Sequence, residues 1–218
     1  PALVRRLGHV DDAYDSLPRF WDQVGVLYRE GDTHELAPDP YLALGLVPPL
    51  SAGFRDLSRV RDSLPVFDPA LCTGCGDCWS ACPDNAVGAT ALTPARLLNA
   101  AIAGAGADAL RPVAAKLAAG IGALCRDPET RRPTFAELLD AAFDRIKAKL
   151  PFPEERKSAI ARELEGVRAA VGCLSLAVTD PFFNEPESGE KGSGELLALA
   201  LDPAACKGCG LCARACEA

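Results

Sequence analysis

Methionine is absent from the 218-residue chain, histidine occurs twice, and aromatic residues are few. His9 and His34 stand far apart with no ligand pattern around either, so imidazole-based metal binding or acid–base chemistry has no local footing. We assign neither a role. Thin aromatic content beside 18 prolines and 19 glycines points to a loop-rich protein that something besides packing, such as bound metal, holds in shape. Trp21, Tyr28, Tyr41 and Phe54 are read as packing residues against a neighbouring domain. Positive charge is short as well. A net charge of -7 offers no field for phosphate backbones or anionic lipid, so neither nucleic acid nor a membrane surface is an expected partner. The most apolar stretch, Leu97 to Leu124, is broken by Asp108, Arg111, Pro112 and Lys116 before a bilayer could be spanned. Near the start, Arg5 and Arg6 run into Gly8, Asp11 and Asp12, without the apolar core of a secretory signal. A cytoplasmic location is expected. With proline first, no methionine, and only Glu217 and Ala218 after the last cysteine, the expectation is a segment of a longer polypeptide or a processed small subunit.

Cysteine, by contrast, is abundant, with ten in the chain. Eight of them form two runs with the spacing C-x-x-C-x-x-C-x-x-x-C: Cys72, Cys75, Cys78 and Cys82, then Cys206, Cys209, Cys212 and Cys216. Three thiolates two residues apart can wrap one face of an iron–sulfur cubane, and the fourth, on a following helical turn, points elsewhere. Gly74, Gly76, Gly208 and Gly210 suit the wrapping, because glycine takes positive φ and lets backbone N–H groups approach the sulfurs. A disulfide framework belongs to small secreted domains. Structural zinc pairs two C-x-x-C units and leaves the third cysteine of each run surplus. Cys125 and Cys173 are isolated and are read as buried, inert thiols.

The runs form an internal repeat. Phe67 to Cys82 aligns without gaps on Leu201 to Cys216, and the identities include Asp68 with Asp202, Pro69 with Pro203 and Ala70 with Ala204. These lie outside the ligand set, so a structural unit is repeated and a pseudo-two-fold core is expected. In bacterial two-cluster ferredoxins, which the pattern resembles, the fourth cysteine of each run serves the other cluster. On that basis Cys72, Cys75, Cys78 and Cys216 hold cluster one, and Cys206, Cys209, Cys212 and Cys82 hold cluster two, both 4Fe-4S.

Along the chain, residues 1–63 read as an irregular lead-in with helical stretches near Arg19–Tyr28 and Phe54–Asp62. Residues 64–92 form the first half of a ferredoxin-like domain, with a lead-in strand at Leu64–Phe67 and another strand within Pro83–Leu92. Residues 93–194 are a helical insertion and acidic loop. Thr93 and Pro94 open its first helix. Thr134 and Glu137 make a capping box ahead of Phe135, Leu138, Leu139, Ala142, Phe143, Ile146 and Leu150 at helical spacing. Pro151 ends that helix, and another from Glu154 places Ile160, Leu164, Val167 and Val171 on one face. The two are expected to pair as a hairpin. Asn184–Gly194 reads as a solvated loop. Residues 195–218 give the second half of the domain, with a strand over Glu195–Leu201. The fold class is α+β: a bacterial 2x4Fe-4S ferredoxin-like core split by a long helical insertion.

The segments Leu64-Pro-Val-Phe-Asp-Pro-Ala-Leu-Cys72-Thr-Gly-Cys-Gly-Asp-Cys and Leu201-Asp-Pro-Ala-Ala-Cys206-Lys-Gly-Cys-Gly-Leu-Cys resemble the ferredoxin-like domain of the pyruvate:ferredoxin oxidoreductase family. That family also separates its motifs by an inserted segment. The resemblance implies an electron relay inside a thiamine-dependent 2-oxoacid oxidoreductase, with no complete catalytic site in this chain. Thiamine diphosphate, Mg and a third 4Fe-4S cluster would lie outside it. The implied partners are the remaining domains or subunits of an oligomer and a soluble ferredoxin or flavodoxin-type acceptor. The rival reading is a ferredoxin-like electron-transfer subunit of another redox complex, formate- or hydrogen-oxidising.

Local charge separates the runs, since Lys207 replaces Thr73 and Leu211 replaces Asp77. More positive surroundings favour the reduced cluster. The cluster of Cys206, Cys209 and Cys212 should therefore have the higher potential; redox titration, with clusters assigned by ligand variants, reads the order directly.

Overall fold

The computed structural model describes residues 16–46, 48, 56–148 and 150–217. His9 and Phe54 lie outside them. The chain forms two compact units, each drawn from separate stretches.

The smaller unit takes residues up to Leu64 together with Cys82–Ala86 and Leu201–Gly210. Ser16 caps its first helix, α1 (Leu17–Phe20), by accepting the Arg19 N–H. A π-helical turn, Trp21–Gly25, carries the chain on into α2 (Val26–Glu30), which ends at a left-handed Gly31. The expected Arg19–Tyr28 helix lies inside this run. Asp39 opens α3 (Pro40–Leu44), accepting the Tyr41 N–H at 2.8 Å while its other oxygen takes the Arg19 guanidinium at 2.6 Å. Burial pushes that carboxyl up, but the bond from Arg19 and the N–H of Tyr41 outweigh it, so its pKa lies below the ordinary range. Tyr41 packs edge-on to Phe20 with ring centroids 5.6 Å apart. It therefore serves this chain's own packing, contrary to the expected outward role, whereas Tyr28 is exposed. Among the described residues of the helix expected over Phe54–Asp62, a 3-10 turn, Ser58–Val60, forms.

The larger unit takes Pro65–Ala81, Val87–Ala200 and Leu211–Ala218. It begins with a single helical turn, α4 (Asp77–Ser80), followed by strand β1 (Val87–Leu92). The Thr93 hydroxyl accepts the Arg96 N–H at 3.3 Å and opens α5 (Pro94–Ala105), as its sequence predicts. Then come α6 (Arg111–Arg126), α7 (Phe135–Lys147) and α8 (Glu154–Val171). The capping box of α7 forms in both directions between Thr134 and Glu137. Each helix packs on the next, and α8 closes back on α5. The start of α7 meets the end of α8 through Phe135 N–H to the Leu174 carbonyl at 2.9 Å and Ala136 N–H to the Gly172 carbonyl at 3.1 Å. Together with the Asp140–Arg168 ion pair, this makes the expected hairpin. Leu138, Leu139, Ala142, Ile160, Leu164 and Val167 are buried in one core with Leu98, Ile102, Leu117 and Ile121. Removing such apolar area from water is the main force holding the four helices together.

A three-stranded sheet in the order β1-β3-β2 completes the unit, with β2 (Leu176–Ala177) antiparallel to β3 (Leu196–Leu201). The Asp202 N–H donates to the Ala86 carbonyl at 2.8 Å, so the residue after β3 sits beside the residue before β1. The insertion leaves and returns at one place. The architecture is α+β, as its sequence implies.

Three further expectations fail. Leu64–Phe67 is not a strand: Pro65 has no N–H to give a ladder, and Val66 is 94% exposed. Cys173 is exposed, unlike Cys125, which is fully buried and whose thiol burial pushes up to about 12. Asn184–Gly194 is not merely a solvated loop. A π-helical turn, Asp180–Asn184, leads into α9 (Glu185–Gly189). Glu187 turns inward, accepting the N–H groups of Gly192 at 2.8 Å and Gly194 at 3.0 Å and pairing with Arg126.

Burial raises the Glu187 pKa, but those two N–H groups and Arg126 outweigh it and hold the carboxyl below its ordinary value. A lowered carboxyl stabilises the fold fully above its unfolded pKa, and the effect is lost as pH falls through the folded one. Glu187→Ala should destabilise the protein by about 1–3 kcal/mol at neutral pH. Urea unfolding followed by circular dichroism at neutral pH and near pH 4 should show the gap from wild type narrowing on the acid side.

Candidate metal centre

Both cysteine runs bend through left-handed glycines at matching places, with φ of +81° at Gly74 and +72° at Gly208. Their loops also lie under residues from elsewhere in the chain. A Cβ at Gly74 would stand 3.0 Å from Thr179 Oγ1 and 3.2 Å from both Pro181 Cγ and Phe182 Cδ2. One at Gly208 would stand 2.8 Å from Arg61 Cβ and 3.0 Å from the Ser63 carbonyl. Only glycine combines that conformation with that approach. Beyond these loops, α4 carries Cys78 and the short helix α10 (Leu211–Ala215) carries Cys212, while Cys82 and Cys216 fall just past the two turns.

Within the larger unit α4 packs on α10, which brings Cys216 to the first run. The Cys72 thiol is raised first by burial, against the Gly74 N–H that points at its sulfur, and further by the negative charge of Cys75 and Cys216. Cys78 is raised by burial, against the Trp79 N–H, and by Cys72, Cys75 and Cys216. As thiolates, Cys72 and Cys78 would each be repelled by Cys75 and Cys216. A bound cationic centre relieves that repulsion and draws the protons off.

The smaller unit holds Cys82, Cys206 and Cys209. Lys207 Nζ pairs with Asp84 Oδ2 at 3.0 Å, joining the residue after Cys206 to the turn after Cys82. The Ala86 N–H donates to Cys82 Sγ at 3.2 Å. Arg61 donates to the Cys206 carbonyl at 3.1 Å, and the Leu57 N–H to the Ala204 carbonyl at 2.6 Å. Cys212 follows Cys209 by three residues.

This donor set suits an iron–sulfur cluster. Its ligands are thiolates, and backbone N–H groups of Gly74, Trp79 and Ala86 face sulfur, the outer contacts that tune such centres. Among the described residues no three His, Cys, Asp or Glu side chains gather as a site for one metal ion. Each thiolate of a four-iron cluster holds a different iron, so its sulfurs stand further apart than those of a mononuclear site.

One sequence reading changes here. Lys207 is largely neutralised by Asp84, so the charge difference between the runs rests mainly on Asp77 facing Leu211. Trp79 lies against Gly76, where a Cβ would meet its Cζ2 at 2.9 Å; the indole covers its own loop. Thr179, Pro181, Phe182, Arg61 and Ser63, which wall the loops, went unrecognised. Thr179-Asp180-Pro181 does carry a helix-start signature, but nothing in cysteine spacing links it to Gly74.

Residues 65–87 match the family model of the 4Fe-4S binding domain. The match covers the first run and implies a 4Fe-4S cluster and iron–sulfur electron transfer. Comparison with curated proteins and with solved structures gives no match. Among the described residues no helix is long and apolar enough to cross a membrane.

Gly45 also has positive φ, +66°, but with nothing within 4 Å of a built Cβ. It is a control for conformational strain, which costs about 1–2 kcal/mol. Gly74→Ala should lower the iron bound per chain, and Gly45→Ala should leave it at the wild-type level; iron and sulfide assay after anaerobic reconstitution compares them.

Proposed function

We propose that this chain relays electrons through two 4Fe-4S clusters held in crossed fashion, Cys72, Cys75, Cys78 and Cys216 on one and Cys206, Cys209, Cys212 and Cys82 on the other. The carrying observation is the packing of α10 on α4, which sets Cys216 beside the first run although it lies far from Cys72 and Cys78 in sequence. The link from Lys207 to Asp84 supports the reciprocal role for Cys82. A four-iron cluster supplies a one-electron couple. With four thiolates each, no iron is left open to substrate, so the residues hold and tune a carrier. The backbone N–H groups at the sulfurs favour the more negative, reduced form, and Trp79 limits water at Gly76.

The wider setting we propose is a thiamine-dependent 2-oxoacid:ferredoxin oxidoreductase, with this chain carrying electrons from a decarboxylation site elsewhere to a soluble ferredoxin or flavodoxin-type acceptor. That setting rests on the two lead-ins, Leu64 to Cys78 and Leu201 to Cys212. Acceptor reduction dependent on 2-oxoacid and coenzyme A, by a complex purified with this chain, tests it; an active complex needing formate or hydrogen instead would replace it with the rival.

Anaerobically loaded protein should carry about eight iron and eight sulfide per chain, and EPR of the reduced sample should show two interacting centres. Replacing Cys206, Cys209 and Cys212 together by Ser should leave one cluster. Adding Cys216→Ser to that variant should abolish it, and adding Cys82→Ser should not. The opposite pattern would mean that each run keeps its own fourth cysteine.

A further inference from the structure

Thr179 is 2% exposed, and its hydroxyl has no hydrogen-bond partner. Buried hydroxyls in folded proteins are satisfied, so an orphan calls for a physical cause. Its position sharpens the question. Thr179 precedes the Asp180–Asn184 turn, where a threonine hydroxyl ordinarily accepts a backbone N–H, yet no such bond forms. The Thr179 carbonyl instead accepts the N–H groups of Phe183 at 2.9 Å and Asn184 at 3.1 Å. The idle hydroxyl lies against Gly74, 3.0 Å from where a Cβ would stand, between Cys72 and Cys75 in sequence. Pro181 and Phe182 make the rest of that wall, and neither side chain can accept a hydrogen bond from it.

We propose that Thr179 is the side-chain hydrogen-bond donor to the sulfur of cluster one and raises that cluster's reduction potential. The inference rests on the cluster reading above. The geometry supplies a donor with no protein acceptor, fixed by burial at the loop that holds two ligands. Sulfur in a thiolate-bound cluster carries negative charge, and one-electron reduction adds to it, so a donated O–H bond stabilises the reduced state more than the oxidised one. No proton moves; Thr179 keeps its hydrogen in both states. It is a tuning residue and not a ligand.

The experiment compares wild type, Thr179→Val, Thr179→Ala and Thr179→Ser as full-length chains, loaded anaerobically and titrated with a chemical reductant under EPR, with clusters assigned by the ligand variants. Val keeps the shape and loses the hydroxyl, Ala loses both, and Ser keeps the hydroxyl. With wild-type iron content, Val and Ala should shift cluster one to lower potential and leave cluster two in place, while Ser stays close to wild type. Loaded Val or Ala protein with unmoved potentials overturns this inference alone, as does a shift in Ser equal to that in Val. Wild-type protein that takes up no iron overturns the cluster reading and this inference with it.

Discussion

The packing of α10 on α4 sets Cys216 beside the first cysteine run, and in the crossed arrangement proposed above much of the larger unit is the means of bringing it there. Closing a loop of this length costs entropy that grows only slowly with the number of residues, but sulfur ligands must also arrive with a defined direction. The helical insertion meets both needs. The circuit of α5 to α8 packs around a common core, β1 and β3 lie side by side, and Ala86 bonds Asp202. The chain returns to the point it left, and α10 can then pack on α4. A flexible linker of equal length could close the loop without fixing where Cys216 points.

Two kinds of interaction share the work. The helical core is held by apolar burial and the capping chemistry of Thr93 and Thr134, with Glu187 tying the 185–194 segment to Arg126. The cysteine loops have little apolar burial of their own: Cys75 and Cys209 are exposed, as are Val66 and Leu71 beside the first run. Their shape depends on left-handed glycines and on walls supplied by distant residues. In the first run burial and the neighbouring cysteines favour the protonated thiols of Cys72 and Cys78, so taking up a thiolate-bound centre releases protons, and binding and local order are coupled.

What could be read from the chain alone divides along the range of the forces involved. The ligand candidates, the Thr134–Glu137 box, the opening at Thr93 and the buried face of α8 depend on neighbours within a few residues, and the spacing displays them. The failures are long-range. Leu64–Phe67 has β-forming residues, but a strand needs a partner, and none of the described residues pairs with it. Glu187 sits in a composition that reads as solvated, and only the approach of Arg126 and the turn at Gly192 draw it inward. Cys125 and Cys173 look equally isolated in sequence, yet α6 faces the core at Cys125, whereas Cys173 lies beyond α8. The lead-in reads as irregular because the bonds from Arg61 and Leu57 go to residues far along the chain.

The repeat makes the two runs nearly equivalent internally, with the same glycines, the same ligands and the same aspartate–proline–alanine lead-in. Identical loops would give any clusters they held the same potential. Charge within the motifs contributes less than their residues suggest, because Asp84 offsets Lys207. The larger asymmetry lies outside the repeat: the first loop faces Thr179, Pro181 and Phe182 from the insertion, while the second faces Arg61 and Ser63 from the lead-in. Segments outside the cysteine runs thus give each of two matching loops its own dielectric and hydrogen-bonding surroundings, and with them, if both hold clusters as proposed, the means to set the two apart in potential.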